Sequence, residues 1–207
     1  MPQPRLQFWY EFASTYSYLS ASRISSLAAN LGVEIDWRPF LLGPIFNAQG
    51  WNTSPFNIYP AKGRYMMRDI ERLAGERDLV FRMPTVFPAK SLLAARVAVV
   101  GQETDWCAPF TEAVFEAQFA NAQDISERNT IRAILQPVLL ASEDGDDADN
   151  VLAEAGSDAV KSKLREQTET AESLSIFGAP SFVTPDGELF WGDDRLEQAL
   201  HWAQNTA

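Results

Sequence analysis

Cysteine and histidine, which build most redox, metal and nucleophilic sites, are almost missing from this chain of 207 residues. The single cysteine, Cys107, excludes an internal disulfide, a Cys-x-x-Cys pair and a cysteine-rich zinc site, and we expect no bound metal. A Ser-His-Asp or Cys-His catalytic group would depend on the single histidine, His201, which we expect to be solvated in the last turn of a helix. Cys107 is predicted to be a packing residue at the start of a helix. If the chain is an enzyme, its nucleophile or cofactor therefore comes from outside.

Basic residues and long apolar runs are also scarce. The chain has 17 Lys and Arg against 28 Asp and Glu, a net charge of −11, which argues against nucleic acid and anionic membranes as partners. No run approaches the roughly 20 apolar residues of a membrane span, since Arg96 interrupts the best one, at 92–100. Residues 1–5 lead into a strand pattern without an apolar signal core, so we expect a cytoplasmic protein.

The first forty residues predict two strands joined by a helix. Residues 6–10 form an aromatic-rich strand candidate, and residues 33–37 alternate apolar and polar side chains. Between them, apolar residues recur at helical spacing from Tyr16 to Leu31, and Gly32 follows as a natural helix end. This βαβ order predicts that the two strands are parallel.

The middle of the chain is predicted to be a long loop followed by helices. Residues 43–59 are rich in Asn, Pro and Gly, and a loop of this length is typically functional. Helical patterns follow at 62–77, 90–103, 108–121, 127–140 and 147–155. The acidic run at 142–149 does not match the spacing of a calcium loop, so we interpret it as a solvated loop that caps the next helix.

The end of the chain predicts a helix, a hairpin and a last helix. Ser157 caps a helix that runs through Leu174. The turn residues at 185–187 separate two short apolar segments, 181–184 and 188–191, as in a β-hairpin. The final helix starts near Asp193. The predicted α/β architecture is βαβ, a helical insertion, then αββα.

Four segments resemble motifs of the 2-hydroxychromene-2-carboxylate isomerase and kappa-class glutathione transferase family. They are F-A-S-T-Y-S-Y-L at 12–19, P-A-K-G-R-Y-M-M-R-D at 60–69, F-G-A-P at 177–180 and F-W-G-D-D-R at 190–195. The resemblance implies a DsbA-like thioredoxin fold, with a thioredoxin-like domain formed by 1–42 and 157–207. Residues 43–156 would then be an inserted helical domain that carries the active-site loop.

The resemblance implies a catalytic role for Ser14, at the start of the first helix. The free N–H groups and the dipole of a helix N-terminus favour a thiolate there, and a serine hydroxyl can donate a hydrogen bond to it. Redox relatives have a reactive cysteine at this position, whereas Ser14 and Ser17 exclude disulfide exchange by the chain itself. Without the resemblance, Ser14 would be interpreted as a plain helix cap. Ala179-Pro180 matches the family's cis-proline, which would let Ala179 pair with glutathione in strand fashion.

The remaining site predictions concern glutathione carboxylates, its amino group and the substrate. By resemblance, Lys62 binds a glutathione carboxylate, and Asp193 and Asp194 hold the γ-glutamyl end. The alternative for the two aspartates is that they only complete the dipole of the last helix. Asn52 is similar to the family's loop asparagine, and Lys90 stands where the isomerases have an asparagine near the substrate.

Lys90 and Arg64 are therefore predicted to bind a substrate carboxylate. Arg64 begins a basic stripe with Arg68 and Arg72 at i, i+4 and i+8, whose alternative interpretation is a surface salt-bridge face.

The resemblance implies a glutathione-dependent isomerase that acts on a small aromatic carboxylate in aromatic catabolism, with glutathione as cofactor. A kappa-type glutathione transferase that conjugates electrophiles is the first alternative. A non-catalytic thioredoxin-fold binding module is the second, because the redox pair is absent. By the same resemblance we expect a homodimer.

Overall fold

A four-stranded mixed sheet organises the protein, whose computed structural model describes residues 3–206. The strands are β1 (Arg5–Tyr10), β2 (Glu34–Pro39), β3 (Ser181–Val183) and β4 (Leu189–Trp191), in the order β2-β1-β3-β4. The β1 and β2 strands are parallel, with Phe8 opposite Trp37, as the βαβ pattern predicts. The β3 strand is antiparallel to both β1 and β4, which confirms the hairpin.

The helix α1 (Thr15–Leu31) connects the two parallel strands. Its N-cap is Ser14 and its C-cap is Gly32, which has a φ of 65°. Glycine adopts this left-handed conformation without the steric cost of a Cβ, so the predicted helix end is confirmed. Leu19 and Ile24 on α1 are completely buried in the apolar core that includes Phe8 of the sheet.

Seven helices fill the segment between β2 and Ser157. They are α2 (Leu42–Ala48), α3 (Pro55–Ile58), α4 (Pro60–Glu76), α5 (Leu92–Val100), α6 (Cys107–Phe119), α7 (Arg128–Ala141) and α8 (Ala148–Glu154). The helical patterns predicted from residue 62 onwards are confirmed. The predicted loop at 43–59 is wrong in part, because it contains α2 and α3. These helices are too short to show a helical period, and buried Ile45 and the Phe46–Trp51 ring contact, with centroids 5.7 Å apart, hold α2 in place.

The last two helices are α9 (Asp158–Ser173) and α10 (Leu196–Asn205), and a 3₁₀ turn at Asp193–Arg195 precedes α10. The Ser157 Oγ accepts a hydrogen bond from the Val160 N–H at 3.2 Å, which confirms the predicted cap. Asp147 caps α8 in the same way, through the Asp149 N–H at 2.8 Å. The acidic run is therefore a capping loop, as predicted.

The larger apolar core extends from the sheet into the inserted helices. The Phe12 ring, just after β1, lies 5.1 Å from the Phe115 ring of α6. A second cluster around Trp9 and Phe40 covers the other face of the sheet. Cys107 is buried within the first cluster, and burial raises the pKa of its thiol to about 12, so it packs as predicted. His201 lies exposed on α10.

Across residues 3–206, no helix combines the length and apolarity needed to cross a bilayer.

Candidate active site

One end of the sheet gathers the predicted site residues from distant parts of the chain. The β1 and β2 strands are parallel, and β3 is antiparallel to both β1 and β4. The C-terminal ends of β1, β2 and β4 and the N-terminal end of β3 therefore lie at the same end of the sheet. Ser14 follows β1 there, Ala179 and Pro180 precede β3, and Asp193 and Asp194 follow β4. We refer to this end as the site end of the sheet.

Ser14 directly contacts the cis-proline segment. Its Oγ accepts a hydrogen bond from the Ser17 N–H at 3.1 Å, so Ser14 is the N-cap of α1. The same hydroxyl donates to the Ala179 carbonyl oxygen at 2.8 Å. The Ala179–Pro180 peptide is cis, as predicted. The half-buried Ser14 hydroxyl therefore joins the start of α1 to the residue that precedes the cis-proline, 165 positions away.

The two adjacent aspartates have opposite environments. The Asp193 side chain is 2% exposed and accepts hydrogen bonds from Arg77 Nη2 at 2.6 Å, Arg23 Nη2 at 3.2 Å and Ser20 Oγ at 3.0 Å. The Asp194 side chain is 74% exposed, and Arg195 lies 3.5 Å from its carboxylate. The Asp193 carboxylate is therefore engaged within the protein and the Asp194 carboxylate is open to solvent, and the prediction that both hold a ligand stays a prediction.

The Asp193 cluster connects three parts of the structure. Arg23 belongs to α1, Arg77 follows α4 in the inserted part, and Asp193 itself begins the 3₁₀ turn after β4. Arg23 also donates to the Asp193 backbone carbonyl at 2.8 Å and pairs with Glu197 on α10. This cluster therefore fixes the backbone that presents Asp194.

Glu11 is a site-end residue that the sequence interpretation missed. Its buried carboxylate accepts hydrogen bonds from the Leu42 N–H at 3.1 Å, the Ala13 N–H at 3.3 Å and the Ser91 hydroxyl. These bonds hold the turn before Ser14 to the starts of α2 and α5. The signal in the sequence is an acidic residue placed inside the aromatic segment 8–12, where a carboxylate must find partners to be buried.

Burial raises the pKa of Glu11 by more than its hydrogen bonds lower it. The free energy of unfolding of the protein therefore depends on pH. The folded state then binds the Glu11 proton more tightly than the unfolded state does. The contribution of Glu11 to stability therefore falls as the pH rises from its unfolded pKa, about 4.3, through the raised folded value. As the pH rises through this window, the unfolding free energy of Glu11→Gln should increase relative to that of the unsubstituted protein. Above the window, the difference between the two proteins should stay constant. Urea unfolding of both proteins at a series of pH values measures this difference, and a difference that does not change across the window would contradict the assignment.

The other predicted residues lie on the inserted part. Asn52 is exposed between α2 and α3, and Lys62 and Arg64 are exposed near the start of α4. Lys90 is exposed and directly precedes Ser91, so the Glu11–Ser91 hydrogen bond connects its backbone to the Ser14 turn. These four residues belong to the segment between β2 and α9, and their roles at the site stay predictions.

The helix that carries Lys62 is held against the helix that begins at Ser14. The Tyr16 hydroxyl of α1 donates to Asp69 Oδ2 at 2.9 Å, and Arg72 donates to Asp69 Oδ1 at 2.9 Å. Arg68 pairs with Glu71 at 3.0 Å. The basic stripe is therefore a salt-bridge face at Arg68 and Arg72, whereas Arg64 remains exposed.

Chemically, the site end combines a hydroxyl donor at a helix N-terminus with the exposed carboxylate of Asp194. The first suits an anion such as a thiolate, and the second suits an ammonium group. Among residues 3–206, no three His, Cys, Asp or Glu side chains cluster as a metal site would require.

Comparison with known proteins identifies a family from the sequence and a similar fold from a solved structure. Residues 5–202 match the family model described as a DSBA-like thioredoxin domain. The chain is 29% identical over 194 residues to the 2-hydroxychromene-2-carboxylate isomerase of Sphingobium xenophagum, which covers 93% of this chain and 94% of that protein. It is 26% identical to human glutathione S-transferase kappa 1, over 97% of this chain and 91% of that protein.

A solved structure of a 2-hydroxychromene-2-carboxylate isomerase is similar in fold, with a TM-score of 0.81. The two sequences are 24% identical, and the match covers 97% of this chain and 94% of that one. The sequence relatives are enzymes, an isomerase and a transferase.

Proposed function

The chain belongs to the DSBA-like thioredoxin domain family, and from this premise we propose that it is a glutathione-dependent isomerase of the 2-hydroxychromene-2-carboxylate type. Its substrate would be a small aromatic carboxylate of aromatic-compound catabolism. The observation that carries the proposal is the Ser14 hydroxyl, 2.8 Å from the Ala179 carbonyl at the N-terminus of α1. Ser14 and Ser17 stand where a redox pair would be, which supports the use of an external thiol.

The residues at the site end fit glutathione. Ala179 precedes a cis-proline and can pair with the cysteinyl backbone, and the Ala179 carbonyl would then accept the glutathione N–H instead of the Ser14 hydroxyl. The released hydroxyl can turn to the sulfur and stabilise its negative charge together with the N–H groups of the first turn of α1. Asp194 would accept from the α-amino group, and Lys62 and Asn52 would bind a carboxylate.

When bound, glutathione would supply a nucleophilic thiolate for the isomerisation of the unsaturated substrate and would be regenerated at the end of the reaction. The chain's own contribution is to hold the thiol ionised and to orient the substrate carboxylate. Arg64 and Lys90 would take the second role, because both are exposed cations that can bind a carboxylate. We further propose a homodimer in the cytoplasm, on the strength of the family likeness.

A kappa-type transferase is the second candidate, favoured by 26% identity to human glutathione S-transferase kappa 1 over nearly the whole chain. Lys90, in place of the isomerases' asparagine, also separates this chain from their motif. Both candidates need glutathione, but only the transferase consumes it.

Two linked measurements test the function. Calorimetric titration should give saturable binding of glutathione, and absorbance of the bound thiolate should give a thiol pKa below that of free glutathione. Turnover of a chromene carboxylate should then leave the glutathione concentration unchanged. Loss of one thiol per turnover would indicate the transferase, and absence of glutathione binding would reject both candidates.

A further inference from the structure

Two large aromatic side chains are exposed beside the site end and contact each other. Phe177 is 47% exposed and Trp191 is 52% exposed, and their ring centroids lie 4.8 Å apart with an interplanar angle of 56°. We call this pair the aromatic platform. Single exposed apolar residues are common on protein surfaces, but clustered ones are not. A pair of half-exposed rings in contact therefore indicates a binding site for a ligand or partner.

The platform is continuous with the Ser14 contact. Trp191 is the last residue of β4, at the site end, and a Cβ on Gly178 would clash with Nε1 of its ring. The indole therefore lies against the backbone of Gly178, the residue before Ala179. Phe177 is two residues from Ala179, a distance of at most about 7 Å along the chain. A group attached to a sulfur beside Ser14 is thus within reach of both rings.

The exposed area fits a single planar ring rather than a protein. Aromatic side chains have about 150–250 Å² each, so two half-exposed rings offer about the same area together. A stable subunit interface needs about 800 Å² from each partner. The exposed charged residues Asp194 and Arg195 follow Trp191 after Gly192 and Asp193 in the sequence.

We propose that the aromatic platform binds the planar ring of the co-substrate that reacts with the glutathione sulfur, an inference that rests on the proposed function. Phe177 and Trp191 would then be specificity-determining residues. They favour acceptors with an aromatic ring over aliphatic acceptors of equal reactivity, through stacking and edge contacts. The tripeptide itself would be held by the backbone and the charged groups described above.

The chain offers a matched control at the opposite end of the sheet. Trp202 is 43% exposed, and its ring lies 5.9 Å from the Phe190 ring. Its Nε1 donates to Asp186 in the turn between β3 and β4, at 3.0 Å, so this second Phe–Trp pair is remote from Ser14. Trp202→Ala removes a similar ring without touching the platform.

The test compares two glutathione derivatives that differ only in the group on sulfur. Calorimetry with S-benzylglutathione and S-methylglutathione gives the ratio of their affinities for the unsubstituted protein, Trp191→Ala, Phe177→Ala and Trp202→Ala. We expect the unsubstituted protein to prefer the benzyl derivative. Each platform variant should reduce this preference about two- to tenfold and leave the affinity for S-methylglutathione unchanged. Trp202→Ala and the conservative Trp191→Phe should retain the preference.

Several outcomes of the calorimetric comparison would overturn the inference. An unchanged preference in both platform variants overturns the inference, as does an equal loss for both derivatives, which would place the platform against the tripeptide. A lower molecular mass of Trp191→Ala in sedimentation would identify a subunit contact and also overturn it. If neither derivative binds the unsubstituted protein, the proposed function fails, and the inference falls with it. Melting curves without ligand confirm that both variants are folded.

Discussion

Asp193→Asn is expected to lower the free energy of unfolding by about 3–5 kcal/mol. The Asp193 carboxylate is 2% exposed and is the common acceptor for Arg23 and Arg77. Asparagine has nearly the same volume, but it is neutral and has only one acceptor oxygen, so Arg77 loses its counter-charge and Arg23 keeps only that of Glu197. Removing one partner of such a cluster is costly because the remaining charges stay buried.

Thermal unfolding measures this effect, and Asp194→Asn is its matched control. A chain of this size loses about 2–4 °C of melting temperature per kcal/mol, so Asp193→Asn should melt about 6–20 °C lower. Asp194→Asn changes an exposed carboxylate and should melt within a few degrees of the unsubstituted protein.

For the affinity for glutathione the order is reversed, and Asp194→Asn should have the larger effect. Asp194→Asn loses a hydrogen bond to a charged amino group, and its affinity should fall roughly ten- to a hundredfold. A stable Asp193→Asn protein would contradict the structural role assigned here. Unchanged affinity in Asp194→Asn would remove Asp194 from the glutathione site.

Ser14→Ala is expected to reduce turnover roughly ten- to a hundredfold at neutral pH. A hydrogen bond to a charged sulfur contributes on the order of 1.5–3 kcal/mol, and its loss would raise the pKa of the bound thiol by the same free energy. Because Ser14 also caps α1, the variant should lose about 0.5–2 kcal/mol of stability as well.

Three measurements separate the cap from the chemistry. Titration of the bound thiol by its ultraviolet absorbance should show the raised pKa in Ser14→Ala, whereas Ser14→Thr keeps both the hydroxyl and the cap and should restore most of the activity. Ser17→Ala is the control, because the buried Ser17 Oγ has no hydrogen-bond partner within the described residues. A thiol pKa that does not change in Ser14→Ala would assign Ser14 to the cap alone.

The elements of the fold could be predicted where the signal was local. Gly32 after an apolar helical repeat, the turn residues 185–187 between short apolar segments, and Ser157 before a helix each specify their structure through neighbouring residues. The short helices α2 and α3 could not be predicted in this way, since burial of Ile45 and the Phe46–Trp51 contact hold α2 in place.

The candidate site divides in the same manner. The sequence by itself determined the absence of a redox pair and, through the motif resemblance, predicted a reactive centre at Ser14 and Ala179-Pro180, a role that stays a prediction. It could not separate Asp193 from Asp194, which are identical and adjacent. Only the tertiary structure decided between them, because the arginines that occupy Asp193 lie 170 and 116 positions away along the chain. The burial of Glu11 follows the same principle, since its Ser91 partner lies 80 positions away. Charge and hydrogen bonding act through space, so the environment of a carboxylate is settled by which segments the sheet and helices bring beside it.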